Sequence, residues 1–463
     1  VISRYVPEIL SVRAEARSWQ SPEELQSRGD SGGSAFLMHW QEEGASYAML
    51  AGHCHSLFTL RPEGCLLRGS RERIIAGADM PSLLNRLQQL LKRSLETALK
   101  AEGTVPEEIL GRALKHIGAA GYLAYDPGPG LKRPEVLAEW GLFYSYFFFD
   151  LQDQTLWSFQ LEYDRPGMED AGGLPDWGKL PDRGKLPVQL KDPGPGRDQY
   201  VRQVETIRRA IFRGDVYEVN LSRRREHSFR GDPARLYRIL RSQDRAPFAA
   251  FLRFPARCII SASPELFLHA EGLQVQTRPI KGTRPRGTGP ASDAALKEEL
   301  LVSEKEAAEL NMITDLLRND LSKVSLAGTV RVQEPRRIDA YPTVWQCSSL
   351  ISSTLQPGTG YGELLGAAVP GGSITGCPKQ RSLEIIDELE AEARGAYTGN
   401  AFIMGAEGLI SSILIRSLFL EGTRLFSHAG GAVTWASDAE EEYIETEAKF
   451  AAIDRALQTY SLA

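Results

Sequence analysis

Two segments carry glutamates at spacings that can hold a hard cation. In VSEKEAAELNMITDLLRND, Glu309 shares a helical face with Met312, Ile313 and Leu316. That face is expected to be buried, and a buried carboxylate costs several kcal/mol, on the order of the effective ion-desolvation penalty, unless it is paired or metal-bound. A position at the stripe's edge, reaching water, is the plainer alternative. In DAEEEYIETEAKFAAIDRAL, Glu442, Glu445 and Lys449 form a second stripe, although a Glu445–Lys449 pair one turn apart is also a routine surface stabiliser. Glu309 and Glu445 together can present carboxylates from two helices to one cation, leaving water and substrate oxygens to complete an octahedron.

A third segment, SASPELFLHAEGLQVQTRPIKGTRPRG, reads as a strand, a turn near Glu271 and Gly272, a second strand and a glycine-rich loop. Glu265 and Lys281 then lie on neighbouring elements. Pro264 and Pro279 leave their register open, and each residue alone also fits an exposed position. The run VPGGSITGCPKQRSLEIIDELE is a glycine-rich turn entering a helix near Pro378, where backbone N–H groups favour an anion and Lys379 adds a cation. It lacks the spacing of a phosphate-binding P-loop. Cys377 has no nearby histidine in sequence and reads as a small buried residue.

The elements that must position these groups fall into two stretches. Residues 1–163 mix strand-like runs (SAFLMHW, SYAMLAG, FYSYFFFD) with the amphipathic PSLLNRLQQLLKRSLETALK, giving an α+β N-terminal domain. Residues 164–198 turn rich in proline and glycine, including GKLPDRGKLP, and read as a linker or surface excursion. From residue 199 a second domain runs to residue 463. It opens with a Tyr200, Val204, Ile207, Ile211 stripe and the strand-like VYEVNLS, and continues with further strands separated by helices. Large sheets with helices packed outside are expected.

Composition sets limits on partners. The chain has 463 residues, 42% hydrophobic and 25% charged, with a net charge of −6, so it offers no basic surface for nucleic acid or an anionic membrane. An anionic substrate needs a local cationic pocket. Five scattered cysteines without CxxC pairing argue against a disulfide framework or zinc site and fit a reducing cytoplasm. No run reaches ~18 apolar residues and VISRYVPEIL lacks a secretory signal's apolar stretch, so a soluble, cytoplasmic protein is expected.

From Asp215 to Lys449 the chain resembles the chorismate-utilising enzymes, a family that includes anthranilate, aminodeoxychorismate, isochorismate and salicylate synthases. The resemblance runs through GDVYEVNLS, RAPFAAFL, SASPELF, PIKGTRPRG, ELNMITDLLRND, PGGSITGCPK, EIIDELE, SILIRS, AGG and EEEYIETEAK, in that order. It implies an α+β fold, a two-domain α/β sandwich of large antiparallel sheets with helices outside and a central cleft. The loop PIKGT is similar to aminodeoxychorismate synthases, where anthranilate synthases typically read PIAGT.

The resemblance implies that Lys281 attacks C2 of chorismate as the 4-hydroxyl leaves, and that ammonia then resolves the adduct at C4. A neutral amine is needed, so Lys281 is expected to have a lowered pKa. Glu265 matches the general acid, and Glu309 and Glu445, with Glu442 behind them, match the Mg²⁺ carboxylates. Thr375, Gly376, Lys379, Tyr397, Arg416, Gly430, Gly431 and Lys449 fall on positions that cradle the substrate's carboxylates. Three positions depart from the pattern. Gln346 stands where a histidine is usual and cannot shuttle a proton, Glu218 replaces a glutamine, and Leu310 follows the metal glutamate in place of histidine or asparagine.

No glutaminase motif is found, so ammonia is expected from a separate glutamine amidotransferase subunit. No pyridoxal-phosphate lyase segment is found either, so the product stops short of 4-aminobenzoate, in folate synthesis. Two alternatives stay open: another chorismate-converting synthase such as anthranilate synthase component I, or a degenerate, non-catalytic chorismate-binding homologue.

Overall fold

The computed structural model describes residues 9–18, 20–23, 36–42, 45–68, 72–76, 79–98, 107–126, 128–163, 188–341 and 344–462. Residues 164–187, most of the proline- and glycine-rich segment, lie outside them. The remainder of that segment is ordered into the fold: Gln189–Asp192 is a strand paired with Glu218–Ser228, and a helix starts at Arg197.

Every strand pairing among the described residues is antiparallel, and the strands join into one hydrogen-bonded network. Alternating or continuously apolar runs produce it. Ala138–Asp150 is buried along nearly its whole length because it carries apolar residues on both faces, and it pairs with Ala45–Arg61 on one side and Thr155–Tyr163 on the other. The network crosses the boundary expected between residues 163 and 199. Ala250 pairs with Met38, and Asn400 with Leu123. One core spans the same boundary, packing Trp140 and Phe148 with Phe267 and Ile410, at about 1.5–3 kcal/mol for each large side chain buried.

The helices that present the candidate residues are fixed at their starts. Ser303 caps the Glu304–Ser322 helix by accepting from the Glu306 N–H at 3.3 Å, and Glu304 and Glu306 in its first turn oppose the helix dipole. Its buried face is Glu309, Leu310, Ile313, Leu317 and Leu321. Met312 and Leu316 are only half buried, so the stripe is rotated slightly from the sequence expectation. The Ala439–Leu462 helix starts at Asp438, whose carboxylate accepts from the Glu440 and Glu441 N–H groups at 2.9 and 3.0 Å.

Candidate active site

The strand Leu266–Glu271, the turn at Gly272 and the strand Gln274–Arg278 form the expected hairpin, with Glu265 immediately ahead of it. Lys281 is not in a glycine-rich loop. It lies on a further strand, Ile280–Pro285, paired with Val344–Thr354. The pairing register slips between Ile280 and Thr283, and Gly282 adopts φ +86°. A bulge of this kind re-aims the side chain beside it, here Lys281, whose Nζ lies 3.1 Å from Glu218 Oε1. That positive φ strains any residue with a side chain, and a Cβ on Gly282 would also press on the ends of the Leu300 and Glu306 side chains at 2.8 and 3.0 Å.

Glu218 is fully buried at the start of the strand Glu218–Ser228. Its charge is met by the ion pair with Lys281, while Oε2 has no hydrogen-bond partner. Thr375–Cys377 runs alongside: Asn220 N–H donates to the Thr375 carbonyl at 2.8 Å, and Gly376 at φ +138° would place a Cβ 2.1 Å from the Glu218 carbonyl oxygen. Thr375 is buried, and its hydroxyl donates to the Gly371 carbonyl at 2.9 Å.

Glu265 is buried, and burial pushes its carboxyl up to about 7, against hydrogen bonds from Ser373 and the Ile280 N–H and the charge of Lys281. Glu309 also rises to about 7, through burial and the charges of Glu218 and Glu306, opposed by Lys281. Lys281 corrects an expectation. Burial pulls its ammonium down, but the charges of Glu218, Glu309 and Glu265 outweigh it and hold the amine above the ordinary lysine value. The neighbours that decide the sign are anions, not cations.

Glu442 is buried, its Oε1 accepting from Ser437 Oγ at 2.7 Å and its Oε2 without a partner. Burial and the charge of Glu445 raise it. Glu445 is half exposed and pairs with Lys449 at 2.6 Å. Burial raises it, but Lys449 prevails and holds it low. Lys449 also donates to the Gly430 carbonyl at 2.6 Å. Gly431 keeps space open above this group, since a Cβ there would come within 3.0 Å of Glu442 Oε2 and 3.6 Å of Glu445 Oε1. The three glutamates do not draw three ligand atoms within 4.8 Å of one another, so they do not form a closed cage. One or two carboxylates, with water and substrate oxygens, is the arrangement that suits Mg²⁺. The buried, unpartnered Glu442 Oε2 and the all-oxygen donor set fit such an ion.

The remaining cradle residues are more dispersed. Lys379, at the start of the Lys379–Leu389 helix, is held by the buried Asp320 at 2.6 Å, which also binds Lys323 at 2.8 Å. Burial lowers Lys379 against the pull of Asp320. Tyr397 is buried and stacked on His428 at 4.5 Å. Arg416 adopts φ +51°, pairs with Asp244 at 3.3 Å, and lines a cavity of about 160 Å³ with Gln346 and Pro264. Gln346 is buried with Oε1 unpartnered. Leu310 fills a small apolar cluster with Leu300 and Cys347. Cys377 is half buried, and no disulfide joins any of the five cysteines.

Sequence reasoning did not single out Ser373, Asp320 or Lys305. Lys305 lies one turn before Glu309, and its charge acts on Glu309, Glu442 and Glu445. The four-residue offset was a legible signal. Sequence reasoning also missed the buried pair of Arg394 with Glu390, 2.7 Å apart, where Glu390 accepts from the Ser222 N–H and Oγ.

A family model described as chorismate binding enzyme matches residues 55–455. The chain belongs to the chorismate-binding enzyme family. Curated relatives include aminodeoxychorismate synthase component 1 of Escherichia coli, 40% identical over 54% of this chain and 55% of the relative, and its namesake from Bacillus subtilis, 41% identical over 56% of each. Anthranilate synthase component 1 of Haloarcula marismortui is 41% identical over 56% of this chain and 54% of the relative. These alignments span about half the length of the curated relatives. Among solved structures, anthranilate synthase component I from Streptococcus pneumoniae superposes with a TM-score of 0.69 at 25% identity, over 88% of this chain and 92% of the other. The menaquinone-specific isochorismate synthase from Escherichia coli gives 0.68 at 16% identity, over 98% and 96%, a likeness of fold. The antiparallel α+β architecture expected from the sequence is thus the family's. No helix among the described residues is long and apolar enough to cross a membrane.

Proposed function

We propose that this chain aminates chorismate at C4, giving 4-amino-4-deoxychorismate through a covalent adduct on Lys281. The observation that carries the reading is the burial of the Lys281 amine 3.1 Å from Glu218, within the fields of Glu309 and Glu265. A surface lysine has no such surroundings. Glu265, pushed up to about 7, keeps a proton available at neutral pH, the property of a general acid.

Glu218 accepts a proton from the Lys281 ammonium. The freed amine forms a bond to C2, both double bonds of the conjugated ring diene shift toward C4, and the C4–O bond breaks as Glu265 protonates the departing hydroxyl to water. Ammonia then bonds to C4, both double bonds shift back, and the C2–N bond breaks, returning its electron pair to Lys281. Glu265 takes the proton shed by the new ammonium, and Glu218 returns its own to Lys281. Glu309, Glu442 and Glu445 would hold Mg²⁺, which supplies positive charge against the substrate carboxylate. Lys449, Lys379 and Arg416 would offset the substrate's charge in an acidic protein.

The Escherichia coli and Bacillus subtilis relatives support this reading by name, and "component 1" in those names supports a separate partner, which we take to be a glutamine amidotransferase delivering ammonia for 4-aminobenzoate and folate synthesis in the cytoplasm. The Haloarcula marismortui relative favours a second reading, anthranilate synthesis, against which Lys281 stands in place of the alanine typical of that activity. Product identification by mass spectrometry from chorismate, ammonia and Mg²⁺ separates them. Aminodeoxychorismate supports the first, anthranilate with pyruvate the second, and unchanged chorismate a non-catalytic homologue.

A further inference from the structure

His116, His269 and Glu271 place one ligand atom each within 4.8 Å of one another, the sole such trio among the described residues. His116 ends the Glu107–His116 helix, while His269 and Glu271 alternate on the strand Leu266–Glu271 and so face the same side. Glu265 precedes the opposite end of that strand, roughly 15–20 Å away at the rise of an extended chain. The trio is therefore separate from the Lys281 centre.

His116 is fully buried, and neither of its ring nitrogens has a hydrogen-bond partner. A neutral imidazole presents one N–H donor and one acceptor nitrogen, and burial leaves both unsatisfied unless something binds there. Its position is held by packing: a Cβ on Gly408 would lie 2.5 Å from both Nδ1 and Cε1 of the ring, and one on Gly405 would lie 2.0 Å from the Lys115 carbonyl oxygen. Glu271 is already oriented. Lys115 Nζ holds its Oε2 at 2.8 Å, leaving Oε1 turned to His269 Nε2 at 3.9 Å. A hydrogen-bonded ligating carboxylate is the usual supporting arrangement around a metal.

We infer that His116, His269 and Glu271 form a zinc site that clips the N-terminal helix to the catalytic sheet. Two imidazoles and one carboxylate are a zinc donor set, with the fourth position left to water. Tetrahedral Zn²⁺ sets its donors roughly 3.3 Å apart, so the His269 ring and the free Glu271 oxygen must close on the packed His116 from within 4.8 Å. The site bridges residues 107–116 and 266–271, and its occupancy stabilises the fold by binding only the native state.

The test is equilibrium dialysis of the chelator-stripped full chain against Zn²⁺, read by metal analysis and thermal melting, with Co²⁺ absorption as a report on coordination. One Zn²⁺ per chain is expected, raising the melting temperature. Glu309→Gln/Glu445→Gln, which disarms the acidic cluster, should retain it. His269→Ala and the milder Glu271→Gln should bind at least tenfold more weakly and lose the thermal shift, while circular dichroism shows them folded. Equal affinity in both of these variants, loss only in the Glu309/Glu445 variant, or no saturable binding by wild type would overturn the assignment.

Discussion

Lys281 and Glu218 form a buried ion pair, 3.1 Å from Nζ to Oε1, with the lysine held in its charged form by the carboxylates around it. A nucleophilic amine must lose that proton, and Glu218 leads the charges that retain it. Glu218→Gln removes the leading anion, so the Lys281 pKa falls and the neutral fraction at a given pH rises. With solvent taking the Lys281 proton that Glu218 otherwise accepts, the alkaline rise in the rate of adduct formation should move to lower pH by on the order of one unit, about 1.4 kcal/mol. Stopped-flow mass analysis across pH measures it. An unmoved profile removes Glu218 from the control of Lys281.

Glu265 couples the site to stability. Its folded pKa of about 7 lies above the ordinary value of 4.5, so the folded state holds the proton more tightly than the unfolded chain. That contribution is complete below pH ~4.5 and is lost as pH rises through 7, on the order of 3 kcal/mol for one buried carboxyl. Glu265→Gln, which cannot ionise, should therefore melt higher than wild type at pH 8 by a larger margin than at pH 5. Equal margins at both pH values would show that Glu265 titrates normally.

The extent to which this was legible in sequence follows from what periodicity can encode. Glu309 on a buried face, the Glu265 hairpin and the helix entry at Pro378 each depend on local spacing, and the structure has them. The strand carrying Lys281 was hidden because Gly282 and two prolines mimic a loop, whereas pairing to Val344–Thr354 makes it a strand. The sign of the Lys281 shift was hidden as well. It depends on Glu218, Glu265 and Glu309 arriving from three separate elements, and no single stretch of sequence displays that convergence. Asp320 as the counter-ion of Lys379 was missed for the same reason.

Metal dependence should reside in the acidic cluster. Glu309→Gln and Glu445→Gln each remove one candidate oxygen donor, and Gly431→Ala pushes a methyl group to within 3.0 Å of Glu442 Oε2. Turnover should fall roughly a hundredfold or more in the glutamine variants, about 2.7 kcal/mol of barrier. In Gly431→Ala the Mg²⁺ concentration for half-maximal rate should rise. Mg²⁺ titrations of initial rate decide it, and variants with wild-type Mg²⁺ response would move the metal elsewhere.

Lys281→Ala turns PIKGT into PIAGT and removes the proposed nucleophile at C2 while leaving the glutamates of the metal cluster untouched. It also frees Glu218 from its ion pair in a fully buried position, where an unpaired carboxylate is costly, so Lys281→Met, which fills the same volume without charge, is the companion control. Amination at C4 should fall by several powers of ten in both, at about 1.4 kcal/mol for each power, with chorismate and Mg²⁺ binding retained. In the alanine variant C2 becomes open to ammonia itself, so any residual product should shift toward addition at that carbon. Wild type given chorismate without ammonia should accumulate added mass on the peptide that contains Lys281. Undiminished 4-amino-4-deoxychorismate formation by the alanine variant would falsify the covalent route and leave Lys281 a positioning cation.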